Sequence, residues 1–85
     1  MKVEFQPRAK KQFARLDKAV QRRITRFFEE VEELADPRSR GKMLTGNWAG
    51  YWSYRIGDYR AICDIVDDKI TIYVMEVGHR RDVYD

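Results

Sequence analysis

The stretch Tyr51-Trp52-Ser53-Tyr54-Arg55-Ile56-Gly57-Asp58-Tyr59-Arg60-Ala61-Ile62-Cys63-Asp64-Ile65 decides how this chain is read. Two runs rich in aromatic and β-branched residues meet at Gly57-Asp58, turn formers that offer a positive-φ position, which predicts a β-hairpin with a two-residue loop. That register sets Ile56 against Tyr59 and Arg55 against Arg60. Side chains alternate between faces, so Arg55 and Arg60 share a face with Ser53 and Ile62, while Trp52, Tyr54, Ile56, Tyr59, Ala61, Cys63 and Ile65 make the reverse face almost continuously apolar. Like charges directly opposite each other repel. A sheet that keeps such a pair is expected to hold an anion between them, which gives the hairpin a core face and a basic open face.

Upstream, Lys2 to Phe5 alternates polar and apolar before Pro7, a short strand leading into a helix with proline in its first turn. Ala9, Phe13 and Leu16 follow at helical spacing. Asp17 is the expected N-cap of a second helix, with Val20, Ile24, Phe27, Phe28, Val31 and Leu34 on its apolar face and Asp36-Pro37 as its stop. Its polar face begins basic (Lys18, Arg22, Arg23, Arg26) and ends acidic (Glu29, Glu30, Glu32, Glu33), the pattern of a solvated helix face. Residues 38–50 carry Gly41, Gly46 and Gly50 and no period; they read as a long loop bearing Arg38, Arg40 and Lys42, with Lys42 close to the sheet edge. Downstream, Asp67-Asp68 predicts a second tight turn, and Lys69 to Gly78 a last strand. Pairing Val66 with Lys69 would place Met75 beside Arg60, Tyr73 beside Ile62 and Thr71 beside Asp64. The tail from His79 to Asp85 has too little apolar content to count as core. The expected fold is α+β in the order β-α-α-β-β-β, two N-terminal helices packed on one face of a small, mainly antiparallel twisted sheet.

Residues 1–85 are expected to form one domain, since a chain of this size buries only about 60–65% of its unfolded surface. With 44% hydrophobic residues it is too apolar for disorder despite 36% charged residues. The net charge of +3 is unevenly placed: residues 37–60 hold five Lys/Arg against one Asp, and residues 61–78 one Lys against four Asp/Glu. Local charge therefore guides the choice of partner. The N-terminus has no apolar leader and no run approaches the ~18 residues of a membrane span, which predicts cytoplasmic residence without membrane contact. Cys63, the lone cysteine, reads as a buried small hydrophobe.

The missing residue types bound the chemistry. One histidine, one cysteine and no carboxylate cluster at ligand spacing predict no metal or other cofactor, and no phosphate-binding glycine loop is present. Arginines can clamp a phosphate, and His79 or Tyr84 can move a proton, so an RNA strand could be cut with its own 2′-OH as nucleophile. Tyrosines such as Tyr73 can stack on bases. A basic patch that only binds RNA would need the same residues, and the residue types alone leave both readings open.

Gly57-Asp58-Tyr59-Arg60, the Asp67-Asp68 turn and Val77-Gly78-His79-Arg80-Arg81-Asp82-Val83-Tyr84, behind helices begun by Phe5-Gln6-Pro7-Arg8-Ala9, resemble the RelE/ParE superfamily of bacterial toxins, in particular its RelE branch. The resemblance spans nearly the whole chain. It implies a RelE-like fold, a toxin of a type II toxin-antitoxin system that cuts mRNA in the ribosomal A site by 2′-OH attack, and a cognate antitoxin that silences it and takes the complex to operator DNA. By the same resemblance, Arg60 is the phosphate contact, Arg80 stabilises or protonates the reacting groups, and Tyr84 is the base. RelE toxins also carry lysines on the strand that here reads Trp52-Ser53-Tyr54-Arg55. None is present, and Arg55 or Lys42 would supply that charge, with Arg81 and Tyr73 adding RNA contacts. His79 replaces a basic residue of some relatives and is a further proton carrier to consider. Alternatives are a ParE-like poison of DNA gyrase, a non-catalytic RNA- or ribosome-binding module, and a structural partner protein, which leaves the Arg55/Arg60 pair unexplained.

Overall fold

The segments fold as their periods require: β1 (Lys2–Phe5), α1 (Pro7–Ala14), α2 (Lys18–Glu33), β2 (Lys42–Met43), β3 (Trp52–Ile56), β4 (Tyr59–Val66) and β5 (Thr71–His79). The structure, a computed structural model, describes residues 1–83. The sheet runs β1-β5-β4-β3-β2, antiparallel throughout except for the parallel β1–β5 pair. Pro7 opens α1, where its missing N–H costs nothing, and the Asp17 carboxylate caps α2 by accepting from the Val20 amide at 3.0 Å. Both helices cover one sheet face. Ala9, Ile24, Phe28 and Val31 are buried there against Tyr54, Ala61, Cys63, Ile72, Val74 and Val77. Phe5, Phe13, Phe27, Phe28 and Tyr54 form a chain of edge-to-face rings, each contact contributing about 0.5–1.5 kcal/mol beyond its buried area.

The central hairpin has the expected register, with Ile56 opposite Tyr59, Arg55 opposite Arg60 and Ser53 opposite Ile62. Where β1 ends, the Gln12 side chain continues its role on the β5 edge: Oε1 accepts from the Val77 amide at 2.8 Å. The connection between α2 and β3 is anchored at its start. The Tyr54 hydroxyl donates to the Pro37 carbonyl at 2.6 Å, and the Arg38 guanidinium forks onto the Asp67 carboxylate at 3.0 and 3.1 Å. That fork holds the Asp67 carboxyl below the usual carboxylate range. Burial pushes the Tyr54 phenol and the Cys63 thiol well up from their usual values, so both stay neutral in the core.

The second hairpin differs from its expected register. Val66 faces Thr71, not Lys69, because the connection is a single 3-10 turn over Asp67–Lys69 closed by Ile70 in the left-handed region at φ 50°. A bulge then intervenes, since Ile62 faces Glu76 while Cys63 faces Val74, leaving Met75 as the extra residue. Arg60 consequently lies opposite Gly78, not Met75, and Tyr73 opposite Asp64.

The face away from the helices is not open along its whole length. Ile62 is 0% exposed, Leu44 3% and Val83 2%, and they form a second small core with half-buried Trp48 and Tyr51. Val83 reaches it because the chain turns back at His79, whose carbonyl accepts from the amides of Asp82 and Val83, and because Gly78 leaves room: a Cβ there would sit 2.8 Å from a Val83 methyl. The tail is therefore core at Val83, contrary to the sequence expectation. Val83→Ala is expected to cost about 2 kcal/mol, two buried methyls plus the cavity they leave. Thermal melting should show a fall of roughly 8–16 °C for a domain of this size. A melting temperature within a degree or two of the parent would return Val83 to the surface.

Candidate nucleic-acid interface

The sheet builds the basic site in rows. Register aligns Arg55 on β3, Arg60 on β4 and Gly78 on β5 in one row, and Lys42 on β2, Ser53 on β3 and Ile62 on β4 in the next. Since β2 pairs through only two residues, the β3 edge beyond Ser53 is left without a strand partner, and a cleft of about 300 Å³ opens there. Lys42, Arg55 and Arg60 line it together with Arg40, over a floor that includes Phe27 and Tyr54. Among the described residues no carboxylate lies within 4 Å of the charged atoms of Lys42 or Arg55; Arg40 is held by Glu30 at 3.0 Å and lies over the Phe27 ring. A concave surface with converging cations and an aromatic floor suits a polyanion that carries planar groups.

Gly41 shapes the lip of the cleft. Its φ is +80°, a conformation L side chains rarely take, and an added Cβ would lie 2.4 Å from the Ser53 carbonyl oxygen. Bending there presents the Arg40 carbonyl to the Trp52 indole, which donates to it at 2.7 Å. Lys42 then leads into β2 beside Ser53.

The remaining sequence candidates are distributed unevenly. The Arg80 amide donates to the Asp58 carbonyl at 2.9 Å, which extends the β4–β5 ladder past Tyr59–His79. Arg80 itself lies in the turn just past the end of β5 and is exposed. His79 pairs with Tyr59 and meets its ring edge-to-face at 5.5 Å. Both follow the core residues Val77 and Ala61 in phase, so the bulge at Met75 has put His79 on the helix face, opposite to Arg60. Its Nδ1 accepts from the Arg81 amide at 3.2 Å, and the Arg81 side chain is exposed. Tyr73 shares the Arg60 face but sits in the Asp64 row, beyond the buried Ile62 cluster, with the Lys69 amine over its ring. Tyr84 lies outside the described residues. Arg40, read from the sequence only as one of the loop's cations, joins the cleft as well; the signal available was a glycine between two cations two positions apart. Among the described residues no group of three His, Cys, Asp or Glu could hold a metal ion, and no helix is long and apolar enough to cross a membrane.

A roomier hollow, about 330 Å³, lies at the opposite sheet edge between β1, α1 and α2, lined by Val3, Phe5, Phe13 and Phe28 with Glu29 and Glu32 at its rim. Its size exceeds that of the basic cleft, but its one cation, Lys10, stands with two carboxylates, so it lacks the converging cations of the β3 cleft.

Comparison with known proteins places the fold. The solved RelBE2 toxin-antitoxin complex from Mycobacterium tuberculosis contains a chain that superimposes with a TM-score of 0.84 at 29% identity, covering 93% of this chain and 96% of that one. The isolated RelE toxin of E. coli shares the fold, with a TM-score of 0.74 at 21% identity over 92% of this chain and 82% of its own. Toxin RelG of Mycobacterium tuberculosis is 39% identical over 49 residues, 58% of this chain, and the chain thus spans little more than half, 56%, of that curated relative's length. A family model, the ParE toxin of the type II toxin-antitoxin system parDE, matches residues 3–84. Two helices on a mixed five-stranded sheet, the RelE-like α+β arrangement, and a family match over nearly every residue together show that this chain belongs to the ParE toxin family of type II toxin-antitoxin systems, within the RelE/ParE superfamily.

Proposed function

We propose that this toxin is a ribosome-dependent endoribonuclease that cleaves mRNA in the A site without a metal ion. The observation that carries the reading is the Arg55–Arg60 pair, cross-strand neighbours that share one cleft with Lys42. Cations that converge on one concave surface over an aromatic floor suit a phosphate. In the proposed reaction the 2′-oxygen attacks the adjacent phosphorus, the P–O5′ bond breaks, and the products are a 2′,3′-cyclic phosphate and a 5′-hydroxyl. One proton leaves the 2′-OH and one must reach the departing 5′-oxygen. Arg60, with Arg55 and Lys42, stabilises the charge that grows on the phosphoryl oxygens, the role preorganised cations fill best. Arg80 serves the leaving group and Tyr84 acts as the base, the roles that the family resemblance gives them. His79, on the other face, takes no part in this scheme.

The same cleft gives the antitoxin its target: an acidic or amphipathic segment lying over Arg55, Arg60 and the tail would neutralise the charges that substrate needs. The solved complex of the Mycobacterium tuberculosis relative makes such a partner the natural expectation for this chain.

One observation favours a second reading. The matching family model is described as ParE, which suits a gyrase poison on the same fold. Induced expression separates the two. Cuts in mRNA positioned by codon, with protein synthesis stopping first, are the expected result. Gyrase-linked DNA breaks with intact mRNA would replace the ribonuclease reading with the gyrase one.

A further inference from the structure

The basic half of α2 reads in the sequence as a solvated face, yet the fold brings part of it to the active cleft. Arg23, Arg26, Phe27 and Glu30 fall at i, i+3, i+4 and i+7, one stripe of α2, and this stripe lines a second cleft of about 270 Å³ with Arg55 and Gly57. Phe27 and Arg55 line both clefts, which makes them adjoining compartments of one groove along the β3 edge. Gly57 at the hairpin turn is what lets them meet: the Arg23 guanidinium lies against it, and a Cβ there would sit 2.6 Å from a guanidinium nitrogen. Among the described residues neither Arg23 nor Arg26 has a carboxylate within 4 Å, and Glu30 is occupied by Arg40.

Resting on the ribonuclease reading of the Arg60 cleft, we infer that Arg23 and Arg26 form a second phosphate-binding site, which holds the same single-stranded RNA a nucleotide or more away from the bond to be cut. The Arg23/Arg26 compartment by itself suits RNA better than a protein partner. Interfaces between proteins depend on buried apolar anchors, and the large exposed apolar residues, Met43 at 62% and Ile70 at 64%, lie outside both compartments. Uncompensated arginines around a backbone turn fit a flexible polyanion, whose phosphates follow one another at the spacing of the chain. The site would then position the strand, and Arg60 would act on it.

The test is equilibrium binding of fluorescent 2′-O-methyl single-stranded RNA, which cannot supply the nucleophile, as a function of salt. For the double substitution Arg23→Gln with Arg26→Gln, affinity is expected to fall roughly tenfold and the slope of log K against log salt to flatten by about 1.4, at ~0.7 for each phosphate of a single strand that is no longer neutralised. Arg26→Gln alone leaves Arg23 against Gly57 and should flatten the slope by about 0.7. The double substitution with lysine should keep the parent's slope, since the charges remain. A folded double glutamine variant with the parent's affinity and slope overturns the inference, as does a parent that does not bind this RNA. Unchanged RNA binding with weakened binding of the antitoxin would assign the patch to the protein partner and overturn it too. The reading of the Arg60 cleft is judged separately, by the mapped mRNA cuts.

Discussion

Replacing Arg60 with alanine is expected to slow single-turnover cleavage on programmed ribosomes by roughly 30- to 1000-fold, the loss of about 2–4 kcal/mol of transition-state stabilisation that follows removal of one charge-assisted hydrogen bond. Arg60 is the central residue of its row, with Arg55 on one side and Gly78 on the other, and it is half-buried where its neighbour Arg55 is exposed. Partial burial fixes its direction before substrate arrives, which is what makes a cation effective in the transition state. Arg60→Lys keeps the charge but not the planar fork, so it should recover only part of the rate. Thermal melting in parallel separates chemistry from folding: a variant that stays folded and cleaves at the parent's rate removes Arg60 from the mechanism. Arg55→Ala is the internal comparison, because an exposed cation in high dielectric contributes less, and its effect should be the smaller of the two.

How far the sequence reveals this site depends on how local each determinant is. The first hairpin was legible because turn chemistry at Gly57-Asp58 and strict alternation on both sides agree, and all of it lies within fifteen consecutive residues. The helices were legible for the same reason, with Asp17 capping α2 at its start, although α2 stops at Glu33 with Leu34 already extended, short of the Asp36-Pro37 stop read from the sequence. The second hairpin was misjudged at Ile70. A β-branched residue at φ 50° is unfavourable on its own, and the backbone holds it there: its amide donates to the Asp67 carbonyl and its carbonyl accepts from the Lys2 amide at the start of β1, a partner distant in sequence. The Met75 bulge has no local signature either, yet it decides that His79 joins Tyr59 while Gly78 faces Arg60. Val83 illustrates the remaining kind of miss. An apolar residue in a polar tail becomes core through Leu44 and Ile62, both distant in sequence, and through the missing side chain of Gly78. The groove itself is tertiary throughout, assembled from α2, the segment before β2, and the β3–β4 hairpin.

The largest stability effect expected of a single methyl group is at Gly41. In Gly41→Ala the new Cβ would meet the Ser53 carbonyl oxygen at 2.4 Å and the Trp52 indole nitrogen at 2.6 Å, and the backbone would remain at φ +80°. Left-handed strain for a non-glycine residue costs about 1–3 kcal/mol, and a clash with strand backbone adds about 1–3 more because no rotamer change relieves it. The sum, roughly 2–6 kcal/mol, is a large part of the ~4–13 kcal/mol a domain of this length has to lose. Part of that cost can be avoided if β2 peels from β3, which holds it through only two residue pairs, but peeling carries Lys42 away from Ser53 and opens the cleft. Stability and RNA affinity should therefore fall together. Gly46→Ala is the control, since φ there is also positive, +67°, while no atom lies within 4 Å of the added Cβ. It should show the strain without the clash. Denaturant unfolding of both variants measures the difference, expected at about 1 kcal/mol or more. If the two unfold at the same midpoint, Gly41 is required only for its backbone angle, and the close approach of β2 to β3 is not what holds Lys42 at the cleft.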